Sequence, residues 1–239
     1  MTTDRDPRCQ ATAPQGEVGI GVPSGAGRDV VVVAGGVPPA PTAAEGLPDD
    51  AYVIAADSGL DYARGLGLEV DLVIGDMDSV RAESLAAAAE VGIRIEQHPA
   101  AKDETDLELA LARAIEGNPT QLVVIGGDAG RFDHLMGVAL LIASPRYAAV
   151  RVEARLGSAV VHVVRDRVVL HGDAGSVVTL LPVHGRVHRV TTQGLVYPLA
   201  GEDLAPGTTR GLSNQMIGET ATVGVRRGVL LVVQPHALG

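Results

Sequence analysis

The chain is poor in cysteine, aromatic residues and lysine, and each scarcity excludes a class of protein. Its 239 residues include one cysteine, Cys9, so an intrachain disulfide is impossible and a reducing cytoplasm is the expected location. There is no tryptophan, only four tyrosines and one phenylalanine, and no basic stripe, which disfavours a nucleic-acid partner. Lys102 is the only lysine and lacks a glycine frame before it, so the Walker A phosphate loop is excluded. The protein-kinase signature motifs are also missing.

Long apolar runs are absent as well. No stretch reaches the roughly 18 apolar residues that a membrane helix requires, so no membrane partner is expected. Residues 1–28 lack the apolar segment of a secretory signal and show no periodic pattern, which predicts a flexible tail. Hydrophobic residues make up 46% of the chain and charged residues 20%, as is typical of a globular protein.

The negative charge is concentrated in one window. The formal net charge is −10, and the stretch from Asp57 to Glu108 holds thirteen acidic residues against four basic ones. Solvated helix faces account for several of them, including Glu83 and Glu90. The remaining acidic residues of this stretch could instead form a site for a cation.

The pattern after residue 28 predicts an α/β fold in two parts. The apolar runs "DVVVVAGG", "AYVIAADSG", "DLVIGD", "GIRIEQH", "TQLVVIGGD" and "AAVRVEAR" alternate with helical stretches such as "RAESLAAAAEVG". Such alternation is typical of a mainly parallel sheet covered on both faces, so residues 29–155 are predicted to form a Rossmann-like α/β/α domain. Residues 156–239 contain β-rich runs and turns, which predict a separate antiparallel β-sandwich domain.

Ligands of parallel sheets gather beyond the carboxyl ends of the strands, and polar residues occur there repeatedly. Gly35–Gly36, Asp57, the pair Asp76 and Asp78, and Gly126–Gly127 each follow an apolar run. Their convergence at one edge is expected.

The motif "GDMDS" places Asp76 and Asp78 two residues apart, and side chains at that spacing on a strand share a face. For this motif alone, a turn with aspartate caps is the alternative. Two like charges held together need a cation nearby. In "KDETDLELAL", Asp103 and Asp106 lie three apart at the opening of a helix. They fit either an N-cap with its N3 partner or, together with the first pair, an oxygen-rich Mg²⁺ site.

In "GGDAGRFDHLMG", the glycines Gly126, Gly127 and Gly130 follow a strand and precede a helix. Backbone N–H groups can receive an anion there. Arg131 could neutralise a phosphate, and Asp133 and His134 are expected beside the same anion-binding turn. Taken alone, His134 also fits a surface or helix-capping role.

The β-rich half offers Ser213 and Asn214 in "TTRGLSNQM" and Tyr197 in "TTQGLVYPL". Taken alone, these residues fit turn chemistry and core packing.

The ordered set "AADSG", "IGDMDS", "DETD", "GRFDH", "TTQGL" and "GLSNQ" resembles the thiamine pyrophosphokinase family from Val30 to the C-terminus. The resemblance implies an α/β domain followed by a β-sandwich, assembled as a homodimer. It also implies transfer of a pyrophosphoryl group from ATP to the hydroxyl of thiamine, with release of AMP.

The resemblance further implies roles for individual residues. Mg²⁺ would be held by the four carboxylates Asp76, Asp78, Asp103 and Asp106. The groups expected to act in catalysis are Asp76, Asp78, Asp106 and Arg131. Those expected to bind the nucleotide are Gly36, Asp57, Ser79, Lys102, Thr105, Asp133 and His134. Thiamine would contact Tyr197, Ser213 and Asn214.

Two alternatives remain open at this point. A haloacid-dehalogenase-type phosphotransferase would use "DMDSV" as its D-x-D-x-[TV] motif, with Asp76 as nucleophile and Lys102 as the motif lysine. The spacing within "GDAGRFD" and the two strands before the motif oppose it. A non-catalytic nucleotide-binding protein on the same scaffold is the other alternative, although it would not need the whole set of carboxylates.

Overall fold

The computed structural model describes residues 27–126 and 130–239. Nearly all of the tail predicted for residues 1–28 lies outside the described residues, as does Gly127 of the predicted anion-binding turn. None of the described helices is long and apolar enough to cross a lipid bilayer.

Six strands of the N-terminal half run parallel in one sheet. They are β1 (Val30–Ala34), β2 (Tyr52–Ala56), β3 (Leu72–Gly75), β4 (Arg94–Gln97), β5 (Gln121–Ile125) and β6 (Arg151–Leu156). Their order across the sheet is β4-β3-β2-β1-β5-β6, and each neighbouring pair is parallel. The apolar runs are continuous because β1, β2 and β3 are buried along their whole length.

Four helices cover the two faces of this parallel sheet. They are α1 (Gly59–Gly65), α2 (Ala82–Glu90), α3 (Asp106–Ile115) and α4 (Phe132–Ile142). One core joins Val30 and Val32 to α3 and α4, and another joins Val31 and Val33 to α1 and α2. Alternate residues of β1 therefore face opposite helical layers.

The β-rich half adds seven strands. They are β7 (Ala159–Val164), β8 (Arg167–His171), β9 (Val177–Gln193), β10 (Ala200–Leu204), β11 (Asn214–Gln215), β12 (Thr220–Gly224) and β13 (Arg227–Gln234). Strand β9 pairs with β13 through its first part and with β10 and β12 through its later part. A third core of buried residues, including Leu180, Val190, Val223 and Leu230, lies among these strands.

The mixed α/β class is confirmed, but the β-rich half does not form a detached sheet. Strand β7 pairs antiparallel with β6, from Val152–Val163 to Leu156–Ala159, and β13 then pairs with β7. Hydrogen bonds therefore run from the parallel strands into the β-rich half, across the predicted boundary between residues 155 and 156. A sequence pattern could not reveal this, because it does not say which strands are neighbours. The division into a Rossmann-like domain and a β-sandwich domain stays a prediction.

The strand order reverses between β1 and β5, and this reversal positions the site. In open α/β sheets a crevice forms at such a point, outside the carboxyl ends of the strands. Gly126 follows β5 with φ of 84°, and a Cβ there would lie 2.7 Å from the carbonyl oxygen of Ala34. Glycine is required because the ends of β1 and β5 approach so closely.

Candidate active site

A cavity of about 560 Å³ opens at the carboxyl ends of the parallel strands. Its lining includes six residues predicted to bind the nucleotide, namely Gly36, Asp57, Ser79, Thr105, Asp133 and His134, together with Asp106. They come from the segments after β1, β2 and β3 and from the openings of α3 and α4. The structure thus brings together residues that are far apart in the sequence.

Three carboxylates meet at this edge of the sheet. Asp57, Asp76 and Asp106 each offer an oxygen, and the three atoms lie within 4.8 Å of one another. Gly75, the last residue of β3, permits this approach, since a Cβ there would lie 3.1 Å from Asp106 Oδ1 and 3.2 Å from Asp57 Cβ. A larger residue would push two of the three carboxylates away.

Asp57 is the most deeply placed of the three. It is 8% exposed, its backbone N–H donates to Ile74 O at 2.9 Å, and its Oδ2 accepts a hydrogen bond from the Ser79 hydroxyl. Its other oxygen, Oδ1, is buried and accepts no hydrogen bond from the described residues. Ser79 therefore orients Asp57 and leaves one oxygen for a ligand.

The pair Asp76 and Asp78 lies in a turn beyond β3, so the expectation that both share one face of a strand is wrong. Met77, between them, has φ of 67°, and the backbone N–H of Asp78 donates to Asp76 Oδ1 at 3.1 Å. Side chains alternate between the two faces of a regular strand, whereas a residue in the left-handed conformation, such as Met77, turns the chain and ends that alternation.

The turn makes the acidities of the two aspartates differ. The N–H of Asp78, followed by Lys102, holds the pKa of Asp76 below its usual value. The negative charge of Asp76 raises the pKa of Asp78. The turn therefore favours the ionised form of Asp76.

The opening of α3 differs from the predicted cap. Thr105 is the N-cap, and its side chain accepts a hydrogen bond from Glu108 N, so Asp103 is not the cap and Asp106 is the first helical residue. The T-x-x-E pattern from Thr105 to Glu108 is itself a capping signature in the sequence. Asp103 is exposed and lies outside the group of three carboxylates.

The donor set fits a hard divalent cation. All three groups are carboxylates. Asp57 Oδ1 is buried without a hydrogen bond from the described residues, and Asp106 Oδ1 has only the Lys102 ammonium, 3.0 Å away, beside it among them. Oxygen ligands of this kind suit Mg²⁺. The structure groups Asp57 with Asp76 and Asp106, whereas Asp78 and Asp103 of the predicted set are not part of that group. Asp57, predicted from the sequence to bind the nucleotide, lies beside Asp76 because β2 is the neighbour of β3, and the sequence pattern does not show which strands are neighbours.

Lys102 supplies the positive charge in this group. Its Nζ lies 3.0 Å from Asp106 Oδ1 and 3.4 Å from Asp76 Oδ2, and its side chain is 11% exposed. Contact with Asp106, and then with Asp76, raises the pKa of Lys102, so the ammonium form is favoured.

Arg131 and Asp133 stand at the opening of α4 and pair with each other. Arg131 Nη2 lies 2.5 Å from Asp133 Oδ2, and both side chains are more than 60% exposed. The pairing raises the pKa of Arg131 and lowers that of Asp133. Asp133 and His134 line the cavity, whereas Arg131 is not among the described lining residues. Arg131 would have to leave Asp133 to reach a phosphate.

The three residues predicted to bind thiamine lie in the β-rich half. Tyr197 is 68% exposed, Ser213 is exposed with φ of 55°, and Asn214 is 3% exposed. The Asn214 amide donates to Tyr197 O at 2.8 Å and accepts from Tyr197 N at 3.0 Å and Gln215 N at 2.9 Å. Asn214 thus holds the Tyr197 segment in place, and its oxygen is fully engaged.

Two family models match this chain. The one described as "Thiamin pyrophosphokinase, catalytic domain" matches residues 45–154, and the one described as "Thiamin pyrophosphokinase, vitamin B1 binding domain" matches residues 161–230. The chain belongs to the thiamine pyrophosphokinase family.

Individual members of the thiamine pyrophosphokinase family are distant in sequence and close in fold. A curated thiamine pyrophosphokinase from Bacillus subtilis (strain 168) is 25% identical over 187 residues, which are 76% of this chain and 86% of the relative. A crystal structure of thiamine pyrophosphokinase from Bacillus subtilis has a TM-score of 0.76 at 23% identity, covering 87% of this chain and 98% of the other. A thiamin pyrophosphokinase family protein from Enterococcus faecalis has a TM-score of 0.72 at 25% identity, with the same coverage.

The two matched regions divide the candidate site. The region matched by the catalytic-domain model contains the three carboxylates, Lys102 and the opening of α4. The region matched by the vitamin B1 binding model contains Tyr197, Ser213 and Asn214.

Proposed function

We propose that this protein transfers the terminal pyrophosphoryl group of ATP to the hydroxyl of thiamine. The thiamine oxygen bonds to the β-phosphorus, the bond from that phosphorus to the oxygen on the α-phosphate breaks, and the hydroxyl proton is lost. The products are thiamine diphosphate and AMP. The carboxylate group beside the cavity, within the region matched by the family's catalytic domain, carries this proposal.

The α/β part, residues 29–155, would bind ATP. The cavity lies where the strand order reverses, the usual place for a nucleotide in such sheets, and its volume suits a ligand of that size. Gly36, Ser79, Thr105 and His134 line it and offer backbone or side-chain hydrogen bonds. Arg131 and Lys102 would neutralise phosphate charge.

Mg²⁺ would be held by Asp57, Asp76 and Asp106. When bound, the ion would neutralise phosphate charge that develops during transfer. Asp78, next to this group, would orient Asp76 through its backbone N–H. The remaining work of the protein is to position the two substrates, because phosphoryl transfer needs little covalent participation from side chains.

The β-sandwich part, residues 156–239, would supply the thiamine pocket. The aminopyrimidine ring of thiamine is flat and suits stacking on Tyr197, and Ser213 offers a hydroxyl. No residue of the β-rich half is among the described residues that line the ATP cavity. We therefore propose a homodimer in which the β-rich half of one copy completes the site of the other. The exposed apolar side chains of Val196, Leu212 and Ile217 near Tyr197 support such an interface.

Neither alternative is favoured once the family is known. A haloacid-dehalogenase-type enzyme would release phosphate from a phosphoester without thiamine, and a pure nucleotide binder would release nothing. The cytoplasmic location expected from the single cysteine stays a prediction.

The proposed function is tested by following nucleotide products with and without thiamine. We expect AMP to form from MgATP only when thiamine is present, in an amount equal to the thiamine diphosphate made. Formation of ADP, or of AMP at the same rate without thiamine, would contradict the proposal.

A further inference from the structure

The only lysine of the chain stands in the carboxylate group itself. The ammonium of Lys102 contacts Asp106 and Asp76, at 3.0 and 3.4 Å, from a side chain that is 11% exposed. Lys102 lies four residues before Asp106, on the non-helical segment leading into α3. Lys102 therefore brings a positively charged side chain into the carboxylate group.

This ammonium balances the carboxylate group only in part. Three carboxylates meet there, and the contacts of Lys102 are with two of them. The Asp57 oxygen Oδ1 is buried and accepts no hydrogen bond from the described residues. A buried carboxylate oxygen without a partner is costly, so a cation of higher charge would stabilise the group further.

A divalent cation held by Asp76 and Asp106 would share both carboxylates with Lys102. The two cations would repel each other, and Lys102 carries a flexible four-carbon stem that can move its charge elsewhere. The phosphates of a nucleotide in the adjoining cavity could pair with the displaced ammonium. Asp106 belongs to the carboxylate group and also lines the cavity, so the two sites adjoin each other.

We propose that Lys102 is an exchangeable counter-ion. In the free protein its ammonium holds Asp76 and Asp106, and it leaves them for the nucleotide phosphates when a divalent cation binds. The proposal rests on the metal and nucleotide chemistry of the proposed function. It implies that the free protein binds metal weakly, and that metal and nucleotide each strengthen the binding of the other, since coupling between two sites is reciprocal.

The first test measures Mn²⁺ binding to metal-stripped protein without nucleotide, from the electron paramagnetic resonance signal of free Mn²⁺. Lys102→Met removes the charge and keeps much of the length, and Lys102→Arg is the matched control that keeps the charge. We expect Lys102→Met to bind Mn²⁺ at least about fivefold more tightly than the unmodified protein, the lower end of typical coupling. Lys102→Arg should stay near the unmodified protein. Equal dissociation constants in all three proteins would overturn the proposal.

The second test uses the unmodified protein and does not depend on how a variant folds. A protein labelled with ¹³C-lysine carries one lysine side chain, so its Cε group gives one assignable NMR signal. We expect this signal to move when Mg²⁺ and a non-hydrolysable ATP analogue are both present, and to move less with Mg²⁺ alone at the same concentration. A signal that stays in place at saturating Mg²⁺ and analogue would overturn the exchange.

Neither measurement contains thiamine or requires turnover. Failure of the proposed function would appear as an absence of thiamine-dependent AMP, whereas failure of the exchange would appear in the Mn²⁺ affinities and the lysine signal.

Discussion

Replacing Asn214 with alanine should separate the positioning of thiamine from the binding of ATP. The Asn214 side chain makes three hydrogen bonds to backbone groups of Tyr197 and Gln215, at 2.8, 3.0 and 2.9 Å. Each lost hydrogen bond costs about 1 kcal/mol net, and more where the group left behind stays buried. The free energy of unfolding should therefore fall by roughly 2–4 kcal/mol, measured by urea denaturation.

The catalytic consequence should appear in the KM for thiamine. Without Asn214 the Tyr197 segment loses its fixed position, and a loss of about 1.4 kcal/mol in binding corresponds to a tenfold rise in KM. The KM for ATP should stay near its original value, because Asn214 is not among the described residues that line the cavity.

Two further variants make the comparison specific. Gln215→Ala, in the same short strand β11, removes an exposed side chain and should change neither stability nor KM. Tyr197→Ala should raise the KM for thiamine roughly tenfold to a hundredfold by loss of stacking. Its stability should change little, because the Tyr197 ring is 68% exposed. A KM for ATP that rises as much as that for thiamine in Asn214→Ala would refute the assignment of this segment.

The remaining predictions concern the carboxylate group and its helix. Asp57→Asn should lower both kcat and Mn²⁺ affinity strongly, whereas Asp103→Asn, an exposed control, should leave both near normal. A Mn²⁺ titration in which Asp103→Asn weakens binding and Asp57→Asn does not would favour the ligand set predicted from the sequence. Thr105→Ala should lower the free energy of unfolding by about 1 kcal/mol through loss of the helix cap, and an unchanged urea midpoint would remove the cap assignment. The charge of Asp76 raises the pKa of Asp78, so ionised Asp78 destabilises the metal-free fold. Asp78→Asn should therefore raise Tm at neutral pH. The gain in Tm should disappear well below about pH 4, where the aspartate and the asparagine side chains are both uncharged, and a gain independent of pH would point to another cause.

Most of the fold could be predicted from the sequence because its apolar runs are unusually clear. β1 is four valines and an alanine, all buried, as is typical of a strand covered on both faces. The junction with the β-rich half was not predictable in the same way. Pairing between β6 and β7 depends on which edge of the sheet is free, and side-chain periodicity does not encode that.

The region of the candidate site could be predicted from the sequence, whereas the grouping of Asp57 with Asp76 and Asp106 could not. Asp57 and Asp76 each follow a strand and Asp106 opens a helix, so their convergence could be inferred. Which of the carboxylates lie closest together could not be inferred, because that depends on the neighbouring positions of β2 and β3 and on the left-handed conformation of Met77. The hydrogen bonds of Asn214 to Tyr197 join positions 17 residues apart, which no local pattern reveals.

If the β- and γ-phosphoryl groups of ATP are transferred together, a label on either group must reach the thiamine product. ATP labelled with ³²P at the β-position and ATP labelled at the γ-position are supplied in parallel reactions with thiamine and Mg²⁺, and the thiamine product is separated and counted. We expect both labels in that product in equal yield, with unlabelled AMP as the other product. Label from the γ-position alone, with the β-label retained in ADP, would show transfer of a single phosphoryl group and rule out pyrophosphoryl transfer.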